Sequence, residues 1–253
     1  MLIDFSEFSS IKIGPKKEVK IIDENNYDGE FLIGKATNTL ISPDADNLGI
    51  LNDRYGFIEI KKGYLYVGAK TSNRKLYGFC RQNDIKGFEF LRNLPGTLGG
   101  SIKMNAGVKS YEISEKLIAL KTLQGYREKK EFSFGYRYSD IHEPVFEAVF
   151  EIQKGFDEKL DEKLKKMRSN QPKGASLGSV FKNPKNDYAG RLIEAVGMKG
   201  MQIGGVKVSE MHANFFINVS NGTFYDMISL INEAKKRVYD TFGVRLEEEI
   251  KII

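Results

Sequence analysis

The chain has 253 residues, 41% of them hydrophobic, 29% charged and only six proline, with a net charge of +5 from 39 basic and 34 acidic residues. That composition excludes a disordered chain and fits one large domain or two to three small ones. A single cysteine, Cys80, excludes an intrachain disulfide, and no apolar run approaches the ~18 residues of a membrane-spanning helix.

The N-terminal "MLIDFSEFSS" lacks the basic and apolar regions of a secretory leader, so we expect a cytoplasmic protein without a membrane partner. Basic and acidic residues interleave, as in "DEKLDEKLKKMR" (157–168), which reads as a solvated helix face and not as a nucleic-acid footprint. The modest positive excess suits a small polyanion such as a nucleotide diphosphate.

In chain order, "EVKIID" (18–23), "EFLIG" (30–34), "FIEI" (57–60) and "YLYVG" (64–68) read as short strands separated by turn signals. A helix is expected around 72–92, stopped by Pro95 and Gly96, followed by strands at "SIKMN" (101–105), "EKLIALKTL" (115–123) and "EAVFEIQ" (147–153). The charged helix at 157–169 runs into "SNQPKG", the clearest junction in the chain. Beyond it come a short helix at 187–197 closed by Gly197, a buried strand in "HANFFINVS", a helix at 223–243 and a closing strand, "VRLEEEIKII". In the helix at 223–243, Tyr225, Ile228, Leu230 or Ile231, Ala234 and Val238 share a face, between a Thr223 cap and a Gly243 stop. The class is α+β.

Two loops could carry chemistry. "LPGTLGGSIKMNAG" (94–107) holds four glycines with Thr97, Ser101 and Ala106 between them, and "IGKATNTL" (33–40) offers Thr37, Asn38 and Thr39. Glycine lets backbone N–H groups approach a diphosphate closely, yet neither loop is a Walker A loop or a G-x-G-x-x-G fingerprint. By composition alone they are tight turns or a phosphate cradle. "LGSVFKNP" (177–184) sets Ser179 beside glycine, with neither histidine, His142 or His212, near it in sequence to act as a base.

Five motifs in order, "GFEFLRNLPGTLGGSIKMNAG", "FGYRYSD", "GSVFKNP…AGRLIEAVGMKG", "HANFFIN" and "FGVRLEEEIKII", resemble the UDP-N-acetylenolpyruvoylglucosamine reductase (UDP-N-acetylmuramate dehydrogenase) family, and specifically its compact subtype, which lacks a tyrosine-bearing capping loop. The resemblance implies a two-lobed FAD-binding domain of the vanillyl-alcohol-oxidase type and a C-terminal α+β substrate-binding domain. The regions would be 1–54, to which 244–253 returns, 55–168, and 169–243. It further implies non-covalent FAD, NADPH as hydride donor, a nucleotide-sugar substrate, no metal, no nucleic acid and a monomer.

Carried over residue by residue, the resemblance makes Arg137, Ser179 and Glu249 catalytic. Arg137 would hold the substrate carboxylate, Ser179 would be a general acid needing no histidine, and Glu249 would orient the developing enolate. The first FAD loop would contribute Gly34, Thr37, Asn38 and Thr39. The second would contribute Pro95, Gly96, Thr97, Gly99, Gly100 and Ser101, with Asn105, Ala106 and Gly107 beyond. Asn183 and His212 would meet the substrate. Two positions depart from the family pattern: the first loop reads "GKATN", with Lys35 and Ala36 where glycines are usual, and Asn170 stands where a lysine is usual. The alternatives are another flavoprotein oxidase or dehydrogenase of the same fold acting on a sugar or alcohol, and a basic polyanion-binding protein.

Overall fold

The computed structural model describes residues 1–167 and 171–253. Asn170 and the last residues of the charged helix expected at 157–169 lie outside the described residues. The chain forms two compact units, one made of Met1–Val19, Lys35–Asp46 and Asn170–Ile253, the other of Lys20–Gly34 and Asn47–Ser169. These differ from the three expected regions. Residues 20–34 and 47–54 group with 55–168, whereas 35–46 group with the C-terminal part of the chain.

The unit containing Asn47–Ser169 is built on a five-stranded antiparallel sheet in the order Gly125–Glu128, Leu117–Thr122, Glu147–Glu151, Tyr64–Gly68, Ile58–Lys61. Strand alternation sends Leu65, Val67, Ala148 and Phe150 into its core, and a register shift between Leu117 and Ala119 lets both Leu117 and Leu120 join them. There they meet Leu76 and Cys80 of the helix Asn73–Gln82, and Phe88 packs edge-on to Phe150 at 5.3 Å between ring centroids. A three-stranded parallel sheet, Lys20–Ile22, Leu48–Leu51, Phe31–Leu32, belongs to the same unit.

Two expectations fail here. The helix expected over 72–92 stops at Gln82, because Asp84 (φ 57) and Gly87 (φ 94) turn the chain into the left-handed region before a short 3-10 helix at Glu89–Asn93. "SIKMN" is not a strand. Thr97 accepts a hydrogen bond from the Gly100 N–H and caps a helix, Leu98–Lys103, whose buried Leu98, Ser101 and Ile102 follow helical spacing. The alternation of Ile102 and Met104 that suggests a strand is incidental to that spacing.

The other unit has its own core around a four-stranded antiparallel sheet, Ala175–Ser179, Phe215–Asn218, Val206–Val208, Gln202–Ile203. The helix Phe224–Phe242 packs on it through Met227, Leu230, Ile231, Ala234 and Val238. Thr223 and Asp226 form its capping box, and Gly243 (φ 67) is its left-handed stop. Tyr225, expected on the apolar face, is 62% exposed, and Met227 is buried instead. The closing strand is shorter than expected: Lys251–Ile252 pairs in parallel with Thr39–Leu40, and Glu248 forms a lone bridge with Phe181.

The charged side chains of the helix Glu158–Met167 are exposed as its charge pattern predicts, with one exception. Asp161 is fully buried and accepts hydrogen bonds from Tyr77 Oη, at 3.0 Å, and from Arg92, while its Oδ1 has no partner among the described residues. A buried carboxylate left without its cation is expensive, so Arg92→Met should cost about 3–5 kcal/mol of unfolding free energy in urea titration. A loss under about 1 kcal/mol would show that the pair behaves as an exposed ion pair.

Candidate active site

Ser179 ends the strand Ala175–Ser179. Ser176 pairs with Ile217 and Ser179 with Phe215, so two residues, Leu177 and Gly178, oppose Phe216 alone. This bulge needs Gly178 at φ 81 and re-aims the half-buried Ser179. The next residues are bracketed by Asn214, which is 3% exposed. Its Oδ1 accepts from the Phe181 N–H at 2.9 Å, its Nδ2 donates to Phe181 O at 2.8 Å, and its carbonyl accepts from the Val180 N–H at 2.9 Å.

The C-terminal segment lies against this stretch. Val180 O accepts from the Glu249 N–H at 2.8 Å, and the Lys182 N–H donates to Glu247 O at 2.9 Å. Ser179 and Glu249 are thus separated by one residue across a backbone pair. Glu248 and Glu247 are matched with Lys235 and Lys182 respectively.

The first loop reaches Glu249 from its other side. Asn38 Nδ2 donates to Glu249 O at 3.0 Å, and the Lys251 N–H donates to Asn38 O at 2.8 Å. Within this loop Ala36 is buried at φ 46, with its carbonyl accepting from the Ser10 N–H at 3.2 Å. Alanine therefore occupies a backbone conformation that glycine adopts without strain. Lys35 is exposed, and Thr37 and Thr39 are half-buried.

Asn183 and His212 belong to the same unit. Asn183 Oδ1 accepts from the Ala189 N–H at 3.1 Å and so caps the helix Ala189–Ala195, whose own cap residue, Tyr188, makes no side-chain bond. His212 Nδ1 accepts from the Asn214 N–H at 3.3 Å, and its ring meets Phe215 edge-on at 5.0 Å. It also abuts Gly190, where a Cβ would lie 3.0 Å from Cε1. Burial, with Lys199 adding to it, pushes this imidazole below its ordinary pKa, so it is held neutral at neutral pH.

Arg137 and the second loop lie in the other unit. Gly135 pairs with Tyr138, leaving Tyr136 and Arg137 as a two-residue loop. Arg137 sits at φ 54, where such a turn usually takes Gly or Asn. Its guanidinium donates to Gly107 O at 2.9 Å and lies 5.1 Å from the centroid of the Tyr136 ring. A groove of ≈ 620 Å³ beside this hairpin, lined in part by Glu112, Ser114, Phe132 and Phe134, holds none of the three expected catalytic side chains.

The glycine-rich loop is stitched to the segment that follows Tyr64–Gly68. The Gly99 N–H donates to Ala69 O at 2.8 Å, the Leu98 N–H to Thr71 O at 2.9 Å, and the Asn73 N–H to Gly96 O at 3.1 Å. Asn73, fully buried, also donates through Nδ2 to Pro95 O at 3.3 Å and Ser101 Oγ at 2.8 Å, while its Oδ1 is buried without a partner among the described residues. The residues present fit a phosphate-bearing cofactor. Gly96 stands at φ 111, and Gly34 approaches so closely that a Cβ there would lie 2.7 Å from Thr97 Oγ1. Gly100 is exposed, and its N–H donates to the capping Thr97 Oγ1 at 3.5 Å. Ala106 and Gly107 are buried, and Asn105 turns its side chain entirely to protein partners.

The expected site residues therefore fall into two sets. Ser179, Glu249, Asn38, Asn183 and His212 share one unit, and Arg137 shares the other with residues 95–107. Sequence reading misses Asn73 and Thr71, which hold the glycine-rich loop, and Asn214, which holds the segment after Ser179. The small polar cluster "KTSN" (70–73) between strand and helix is a usable signal for the first two. Cys80 is fully buried, and burial raises its thiol pKa well above the ordinary value, which makes it inert packing. Among the described residues no cluster of His, Cys, Asp or Glu could hold a metal ion, and no helix is long and apolar enough to cross a membrane.

Comparison with known proteins agrees on one family. A family model described as UDP-N-acetylenolpyruvoylglucosamine reductase, C-terminal domain, matches residues 170–253. A UDP-N-acetylenolpyruvoylglucosamine reductase of Campylobacter jejuni (strain RM1221) is 49% identical over 100% of both chains. One from Helicobacter hepaticus is 41% identical over 100% of this chain and 98% of its own. The crystal structure of the Thermus caldophilus enzyme of that name (MurB) superposes with a TM-score of 0.88 over 100% of this chain and 98% of the other, at 24% identity, a likeness that shows the fold. The chain belongs to the UDP-N-acetylenolpyruvoylglucosamine reductase family.

Proposed function

We propose that this protein reduces the enolpyruvyl ether of UDP-N-acetylglucosamine to UDP-N-acetylmuramate, a reaction of peptidoglycan synthesis. The observation that carries the reading is the likeness to named reductases along the whole chain, at 49% identity over 100% of it. The proposal includes a vanillyl-alcohol-oxidase-type FAD-binding domain made from residues 1–54, 55–168 and the returning 244–253, with 169–243 as the substrate domain. It also includes a monomeric, cytoplasmic enzyme of the compact subtype.

Bound FAD, non-covalent and reduced by NADPH, supplies the hydride that adds to the terminal carbon of the enolpyruvyl group. The loop from Pro95 to Ser101 and the loop from Gly34 to Thr39 would hold its diphosphate. As hydride arrives, negative charge builds on the adjacent carbon and its carboxylate. The guanidinium of Arg137 matches a carboxylate by bidentate geometry and holds that charge. Glu249, fixed by its backbone pair with Val180, orients the developing enolate.

Ser179 completes the addition by giving its Oγ proton to the carbon beside the carboxylate, and solvent then replaces the proton. A carbanion-like centre is basic enough to take a proton from a hydroxyl, so no histidine is needed. The neutral His212, its Nδ1 engaged with Asn214, is a positioning group at the substrate side and not a base for Ser179. Asn183 would meet substrate through its amide while its Oδ1 caps the helix behind it.

In anaerobic stopped flow, Ser179→Ala should leave flavin reduction by NADPH within about twofold of wild type and slow reoxidation by the enolpyruvyl substrate by about 10²–10⁴-fold. Equal slowing of both half-reactions would make Ser179 a shaping residue. Acid precipitation should leave the flavin in the supernatant, since the thiol of Cys80 is buried; yellow colour retained in the pellet would favour a covalent-flavin oxidase of the same fold.

A further inference from the structure

Four polar ties join the end of the helix Leu98–Lys103, and the residues just beyond it, to the hairpin that carries Arg137. Asn105 Nδ2 donates to Gly135 O at 3.1 Å, Arg137 Nη2 to Gly107 O at 2.9 Å, and Ser139 Oγ to Lys103 O at 2.7 Å. Lys103 Nζ donates to Ile141 O. Asn105 is the one buried donor of the set. It is fully inaccessible, stands at φ 45, and spends its other amide proton on Glu112 Oε2 at 2.7 Å. Its Oδ1 accepts from the Ser114 N–H at 3.4 Å. The carbonyl that receives the guanidinium is equally fixed, because Gly107 pairs with Glu112 so closely that a Cβ would lie 2.2 Å from Tyr111 O.

Both protons of the Asn105 amide are therefore engaged within the protein, and none is left for a diphosphate. What they fix is the strand residue next to the loop from which Arg137 projects. That loop holds an arginine at a φ that only its surroundings can impose. Cutting the tie at Gly135 frees the loop to relax, and a displacement of about an ångström at a group that must meet a carboxylate costs on the order of 10²-fold in rate.

We infer that Asn105 is a positioning residue for Arg137, acting through the Gly135 carbonyl, and not a cofactor ligand. The inference rests on the proposed role of Arg137 at the substrate carboxylate. A double-mutant cycle on the FAD-loaded enzyme tests it, read by anaerobic stopped flow for each half-reaction and by fluorescence for FAD affinity. Asn105→Ala should keep FAD affinity and NADPH reduction within about twofold and slow substrate reoxidation by about 10–100-fold. In the Arg137→Ala background the same change should add less than about threefold, because the two act as one unit.

Full multiplication of the two effects, or loss of FAD affinity in Asn105→Ala, overturns the inference. Reoxidation that is unchanged in Arg137→Ala alone overturns the underlying role of Arg137, and with it the inference. Ser139→Ala cuts the solvent-side tie to Lys103 O without opening a cavity. It decides the matter should Asn105→Ala not fold: slower reoxidation by about 3–10-fold with unchanged NADPH reduction supports positioning by these ties, and no change contradicts it.

Discussion

The last seven residues of the chain are gripped from both sides, and the site in their unit depends on that grip. On one edge the Lys182 N–H donates to Glu247 O, and Val180 O accepts from the N–H groups of Glu249 and, at 3.4 Å, Ile250. On the other, Asn38 bonds both Glu249 O and the Lys251 N–H, the Ile253 N–H donates to Leu40 O, and the Ser42 N–H donates to Ile253 O. Each bond is worth only about 0.5–1.5 kcal/mol net, but together they fix register. Leu246 and Ile250 are buried in the core of this unit, and a slip of one residue would turn Glu249 inward and Ile250 outward. The core thus fixes the register of Glu249, and the same segment orders the loop from Gly34 to Thr39 and the stretch after Ser179.

The second unit solves a different problem, presenting a guanidinium from a two-residue turn. A long flexible side chain on a short hairpin has little to hold it, so backbone and neighbours do the work. The left-handed φ of Arg137 costs on the order of 1–3 kcal/mol, and the ties to Lys103, Asn105 and Gly107 oppose its relaxation. The same helix begins at Thr97 in the glycine-rich loop, itself held by Asn73, Thr71 and Ala69. One six-residue helix therefore links the loop expected to meet the diphosphate with the hairpin expected to meet the carboxylate.

Local signals in the sequence were legible where local physics decides. The helix Phe224–Phe242 begins at its capping box and ends at Gly243 as read, and "YLYVG" is a strand over the residues expected. "SIKMN" misleads because its alternation outweighs the Thr97 cap, and the helix after Ser72 ends early because Asp84 adopts a left-handed φ that its identity does not announce. In the site, Ser179 and Glu249 carry no chemical signature of their own. Only the order of motifs singled them out, and their closeness comes from pairing across the chain. Asn214 and Asn73 escaped notice because each acts through hydrogen bonds to residues distant in sequence, which no window of composition contains. Asn105 was legible as a loop residue, but the engagement of its amide with Gly135 and Glu112 was not.

The most direct test of the account is an anaerobic visible spectrum of the purified protein, reduced with NADPH and then mixed with UDP-N-acetylglucosamine enolpyruvate. The expected result is a flavin band that bleaches with NADPH and returns when the substrate is added. A band that bleaches but returns only with oxygen, or no flavin band even after FAD is supplied, would contradict it.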